Sequence, residues 1–143
     1  MAIKENFVMT KSSFPVAIGL SAALLWSSAA QAANEKHYGV VCLRNDTKAN
    51  ITYSRKVGDG GWETRFLAPG DRWKISHRYD RSNENRSPTV RVRYDADASG
   101  RRFSQSRELD RLAAVGDTCQ EARIYAFQYE PRNRSFITLE RVQ

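Results

Sequence analysis

From residue 38 onward apolar and polar side chains alternate with a period of two, and Gly, Pro, Asn and Asp interrupt the alternation at short intervals. That pattern is the signature of short strands joined by tight turns. It predicts strands at 38–44, 51–57, 62–67, 72–79, 89–95 and 101–107, closed by a hairpin of 122–129 and 136–142. The clearest is 72–79, where Trp73, Ile75, His77 and Tyr79 share one face and Arg72, Lys74, Ser76 and Arg78 the other. One face is expected in the core and the other in solvent. The next strand repeats the arrangement, with Val90, Val92 and Tyr94 inward and Arg91 and Arg93 outward. Between the third and fourth strands, Pro69-Gly70 supplies a fixed φ followed by a residue free to take positive φ, which is a turn. Within 108–115, Leu109, Leu112 and Ala113 fall at i, i+3 and i+4 and predict one helical turn, too short to organise a fold. Seven or eight antiparallel strands predict a β-sandwich, with a small closed β-barrel as the alternative that the same pattern allows.

The first residues are patterned differently. Lys4 and Lys11 precede an uncharged, largely apolar run from Phe14 to Trp26, and Ala30-Gln31-Ala32 follows with small residues at the right spacing. A basic segment, an apolar segment and an A-x-A site make a secretory signal peptide, expected to be cleaved after Ala32. The apolar run is too short to span roughly 30 Å of hydrocarbon. No Cys stands at the cleavage site to take a lipid. The expected product is a single periplasmic or secreted domain, 33–143, of 111 residues, enough for one modest core and with no transmembrane segment.

Compartment changes the reading of the cysteines. Cys42 and Cys119 lie near the two ends of the domain, and an even count in an exported chain reads as a disulfide. Their separation excludes a C-x-x-C redox pair.

Residues 33–143 carry 21 Lys and Arg against 15 Asp and Glu, a net charge of +6, and 17 of the 21 are Arg. Arg offers a planar fork suited to carboxylate, phosphate and sulfate. If strands 72–79 and 89–95 pair, Arg72, Lys74, Arg78, Arg91 and Arg93 form one basic patch. Like charges across a ladder cost stability unless acids or an anionic partner offset them. Glu63, Asp71 and Asp95 are the acids that could neutralise the face internally. Outside a cytoplasm the anionic partners on offer are acidic polysaccharide, lipid headgroups, extracellular nucleic acid and acidic proteins.

From Cys42 the chain reads C-L-R-N-D-T-K-A-N-I-T-Y, then Gly60-Gly61-Trp62 and Leu67-Ala68-Pro69-Gly70. This stretch resembles a small exported bacterial β domain of unknown function. The resemblance implies an exported location and a β fold, and no activity.

Candidate chemistry is sparse. Asp95-Ala96-Asp97-Ala98-Ser99-Gly100 matches the first half of a calcium loop, but Ser106 stands where a bidentate Glu belongs, and Arg101 and Arg102 would repel a cation. An ordinary polar turn is the expectation, with no metal and no cofactor. His37 falls in the lead-in to the first strand, and His77 sits inward beside Tyr79. No nucleophile elbow, H-E-x-x-H or phosphate-binding glycine loop is present. The sequons at Asn45, Asn50, Asn85 and Asn133 carry no weight in a chain with a bacterial leader.

The expected function is that of a non-enzymatic, exported binding domain contacting anionic ligands through its Arg-rich sheet face, with no catalytic residue assigned. Two alternatives stand beside it. One is a protein-binding inhibitor, immunity or envelope-assembly factor docking through loop 80–88 and a sheet edge. The other is a small envelope hydrolase using His77 with Asp80 or Glu63.

Overall fold

Strand formation follows the alternation closely over residues 35–143, which the computed structural model describes. The signal-peptide expectation lies outside those residues. The strands are β1 (Tyr38–Asn45), β2 (Ile51–Val57), β3 (Glu63–Leu67), β4 (Arg72–Arg78), β5 (Val90–Tyr94), β6 (Gln105–Leu109), β7 (Leu112–Ala114), β8 (Arg123–Glu130) and β9 (Asn133–Arg141). Sheet I has the order β4-β1-β8-β9, with β7 also paired to β1, and sheet II has the order β3-β2-β5-β6. The two sheets pack face to face and no barrel closes, which settles the choice between sandwich and barrel.

The interior is filled from both sheets. Val41, Leu43, Ile75, Tyr125, Phe127, Ile137 and Leu139 of sheet I meet Ile51, Tyr53, Leu67, Val90, Val92, Tyr94 and Leu109 of sheet II. Phe127 sits among aromatics, 5.9 Å from the ring of Tyr53 and 5.4 Å edge-on from that of Tyr94. β1 is buried on both faces, as is the first half of β8. The other side chains of β1, Val40 and Cys42, join Ala114, Ala122 and Ile124 in a second cluster on the outer side of sheet I. The β7 segment and the 3-10 turn Cys119–Glu121 lie there, joined to β1 by the Cys42–Cys119 disulfide with a Cα–Cα distance of 5.9 Å. A strand covered on both sides should read as a continuous apolar run, and Gly39-Val40-Val41-Cys42-Leu43 does.

The structure departs from the sequence reading in four places. β1 and β8 are parallel, Val41 aligning with Arg123 through Asn45 with Phe127, so the sandwich is not wholly antiparallel. Residues 108–115 form no helical turn: they finish β6 and make β7, because the start of β1 offers an unpaired edge that Ala114, Ala113 and Leu112 complete. The weak strand expected at 101–107 begins only at Gln105, since Asp95 captures the preceding backbone. Trp73, assigned to the core, is 37% exposed. It stands on edge strand β4, with the guanidinium carbons of Arg55 and Arg65 at 5.3 and 5.7 Å from its ring.

The lead-in before β1 is also fastened. The His37 amide donates to the Ala114 carbonyl at 2.9 Å and its carbonyl accepts from the Tyr79 amide at 2.8 Å. Lys36 and Asn83 exchange two hydrogen bonds, Asn83 amide to Lys36 carbonyl at 2.7 Å and Lys36 amide to Asn83 Oδ1 at 2.8 Å. At the turn before β4 the Asp71 amide reaches the Ala68 carbonyl at 3.0 Å, with Gly70 at φ +79, the conformation that Pro69-Gly70 predicts.

Candidate binding face

The five basic residues do not form one patch. β4 is the edge of sheet I and pairs only with β1, while β5 lies between β2 and β6 in sheet II. Arg72, Lys74 and Arg78 therefore face outward from one sheet, and Arg91 and Arg93 from the other, on opposite sides of the sandwich. The strand-to-strand pairing that would have merged them requires both in one sheet.

Both outer faces are basic, but their charges are placed differently. On sheet I, Lys74 Nζ lies 2.8 Å from Asp117 Oδ2 and donates to the Asp117 carbonyl at 3.0 Å. Hydrogen bonds from Lys74 and then Ser76 hold the Asp117 carboxyl below its ordinary range. Arg72 is opposite Arg44, which is itself held by Asp46 at 2.5 and 2.6 Å. This face is further occupied by the disulfide-tied segment.

Sheet II presents a different surface. Its outward positions are Thr52, Ser54 and Lys56 on β2, Thr64 and Phe66 on β3, Arg91 and Arg93 on β5, and Ser106 and Glu108 on β6. Trp62, immediately before β3, continues the outward phase of that strand. The guanidinium carbon of Arg93 lies 3.3 Å from the Trp62 ring centroid. Arg93 forms no ion pair among the described residues, and its Nε is buried without an acceptor. Ser54, between Arg93 and Thr64 in register, is buried. Trp62 is 38% exposed and Phe66 74%. Against Lys56, Arg91 and Arg93 the only acid at these strand positions is Glu108, 3.4 Å from Arg91 Nε in an exposed pair of the kind worth little.

Neither Glu63 nor Asp95 neutralises this face, as the sequence allowed. Glu63 takes the opposite phase of β3, beside Arg55, and is shared by Arg65 at 2.9 Å and Arg55 at 3.0 Å, whose hydrogen bonds draw its carboxyl below the usual range. Asp95 turns into its own loop. Its Oδ2 accepts from the amides of Arg101 at 2.7 Å and Arg102 at 2.8 Å and from the Ser99 hydroxyl at 3.0 Å, and its Oδ1 from the Ser104 amide at 2.8 Å. Burial pushes this carboxyl up, but the four hydrogen bonds outweigh it and bring it down to about 2. Both oxygens of Asp95 are thus engaged by its own loop. The loop is moulded against sheet II: Gly100, at φ +64, leaves room for no Cβ, which would come within 2.6 Å of the Thr52 side chain.

His77 is half-buried rather than sealed in a dry core. It lines an open cleft of about 340 Å³ with Asp80, Glu84, Arg86, Ser87 and Pro88. Asp80 therefore joins it and Glu63 does not. The loop forming this cleft is anchored by the Lys36–Asn83 exchange, by the Tyr79 hydroxyl donating to Asn85 Oδ1 at 3.2 Å, and by Arg111 donating to the Ser87 carbonyl.

Lys56, Trp62 and Phe66 were not among the residues singled out from the sequence. The signal was present in Trp62-x-Thr64-x-Phe66, an alternation in which aromatics keep company with a hydroxyl while Glu63 and Arg65 take the intervening places. Read by hydrophobicity alone, that strand turns its aromatics inward. Among the described residues no helix is long and apolar enough to cross a membrane. The chain matches no protein-family model, no curated protein and no solved structure.

Proposed function

We propose that the protein is an exported, non-enzymatic binding domain that holds an anionic polymer on the outer face of sheet II. The observation that carries this reading is the arrangement of Lys56, Arg91 and Arg93 on adjacent strands with Glu108 as the one acid beside them. Cations gathered on a sheet face repel one another, and an anionic ligand relieves that repulsion while releasing its own counterions. Export is supported by the leader-like first 32 residues and by the disulfide, a bond that persists in oxidising compartments.

Heparin chromatography across a salt series tests the reading. A Lys56→Ser/Arg91→Ser/Arg93→Ser variant is expected to elute at clearly lower salt, with a log–log salt dependence shallower by roughly one per cation removed. An Arg72→Ser/Lys74→Ser/Arg78→Ser variant is expected to behave nearly as the unaltered protein. Equal loss in both variants would reduce the interaction to net charge and remove the site.

A second reading draws on the His77 cleft, where an imidazole shares an open depression with Asp80, Glu84 and Ser87. Such a set can perform acid–base hydrolysis. The binding reading expects that any turnover of ester, amide or glycoside substrates is unchanged in His77→Ala; turnover abolished by that change alone would favour a hydrolase.

A further inference from the structure

The outer face of sheet II carries more than charge. Trp62 and Phe66 occupy the outward phase of one strand line, four residues and therefore about 13 Å apart. Thr64 lies between them, the neighbouring strand turns Thr52, the buried Ser54 and then Lys56 to the same side, and Arg91 and Arg93 follow on β5. Across the sheet an aromatic edge on β3 gives way to cations on β2 and β5. Arg93 links the zones by stacking its guanidinium on the Trp62 ring at 3.3 Å, which occupies one face of the indole and leaves the residue 38% exposed.

We infer that the ligand of this face is an acidic polysaccharide rich in carboxylates, lying across β3, β2 and β5. This rests on the reading of the face as an anion site. The apolar C–H face of a sugar ring packs on the uncovered part of Trp62 and, a few residues along the polymer, on Phe66. Sugar hydroxyls meet Thr64, and the carboxylates meet Arg93, Arg91 and Lys56. Stacking on an aromatic ring and ion pairing to a cation are additive in kind, one tolerant of salt and the other weakened by it. Charge alone does not call for exposed aromatics beside it, and a hydrophobic partner does not call for three cations.

Other polyanions fit less well. A single nucleic acid strand requires cations that follow its phosphates, but on β2, β3 and β5 they are gathered at one end, while Phe66 and Thr52 form the other. A bilayer is engaged best by apolar residues projecting beyond the cations, whereas Trp62 is held down against Arg93 within the sheet face.

Isothermal titration calorimetry of the purified protein tests this, with sodium alginate as the polyuronate, neutral dextran, oligo-dT, and phosphatidylcholine vesicles containing phosphatidylglycerol. At physiological ionic strength we expect alginate to bind in preference to the other three. Trp62→Ala and Phe66→Ala should each weaken alginate binding by about tenfold while leaving its salt dependence unchanged. Circular dichroism confirms that each variant folds, and Phe66, with its ring largely in solvent, provides a substitution with minimal structural effect. Wild-type alginate affinity in both aromatic variants, or tighter binding of oligo-dT or vesicles than of alginate, overturns the inference. If the Lys56→Ser/Arg91→Ser/Arg93→Ser variant loses alginate while the aromatic variants keep it, the anion site stands and only the glycan assignment falls. If that triple variant also keeps its affinity, the anion site itself falls.

Discussion

Replacing Cys42 and Cys119 by serine is expected to lower the stability of the domain by about 4 kcal/mol, the largest single loss available from outside the main core. The bond joins residues 77 apart, so the oxidised unfolded chain is denied a wide set of conformations that the reduced chain regains. The native state has a stake as well. Cys42 is completely buried in the second cluster with Val40, Ala114, Ala122 and Ile124, and the disulfide holds the segment that covers them. Without it, β7 retains three residue pairs with β1, and Glu121 retains its bonds to the amides of Val115 at 2.9 Å and Gly116 at 3.4 Å. Thermal unfolding followed by circular dichroism should show a fall in Tm of roughly 15–20 °C for a domain of this size. A fall of only a few degrees would mean that β7 and the 3-10 turn hold the outer face of sheet I by themselves.

The second large effect belongs to Asp95. Its carboxylate satisfies three amides and a hydroxyl in a loop that also places Ala98 at φ 57 and Phe103 at φ 50, conformations unfavourable to residues with a Cβ. Asp95→Ala removes the acceptor and leaves the strained backbone without its organiser, at an expected cost of about 3 kcal/mol. The direction of its pH dependence is fixed by where the carboxyl titrates. Folded, it sits at about 2; unfolded, it returns to the ordinary value of 3.8. Its contribution is therefore complete above about pH 4 and disappears as pH falls toward 2. Urea unfolding at a series of pH values should show the unaltered protein losing stability through that window more steeply than Asp95→Ala. Parallel curves would contradict the hydrogen-bonded arrangement.

Much of the sandwich is legible because one physical rule, alternation with one wet face, governs β2, β4 and β5 directly. The rule weakens where a strand has two dry faces, as in β1, or where its hydrogen-bond partner is distant in sequence. β7 illustrates the second case: Leu112-Ala113-Ala114 has the composition of a helical turn and becomes a strand only because β1 presents an edge to it. The parallel pairing of β1 and β8 is equally invisible to local pattern.

The candidate site was half legible for the same reason. Which side chains of β4 and β5 point outward follows from alternation; which strands share a sheet does not, and the projected patch depended on the latter. The sequence also counted Asp95 as a surface counter-charge. Only the fold reveals that residues 101, 102 and 104 turn their amides back upon it. Trp62 was obscured because hydrophobicity argues for burial, whereas an arginine from two strands away gives its ring a partner on the outside.

The most direct test is a nitrogen-15 NMR titration of the labelled protein with a short oligouronate. Fast or intermediate exchange shifts are expected at the Trp62 indole N–H and at the backbone amides of Lys56, Thr64, Phe66, Arg91 and Arg93, with Arg72, Lys74, Arg78 and His77 unmoved. Shifts centred on Arg72, Lys74 and Arg78, or on the His77 cleft, would place recognition elsewhere and contradict the sheet II site.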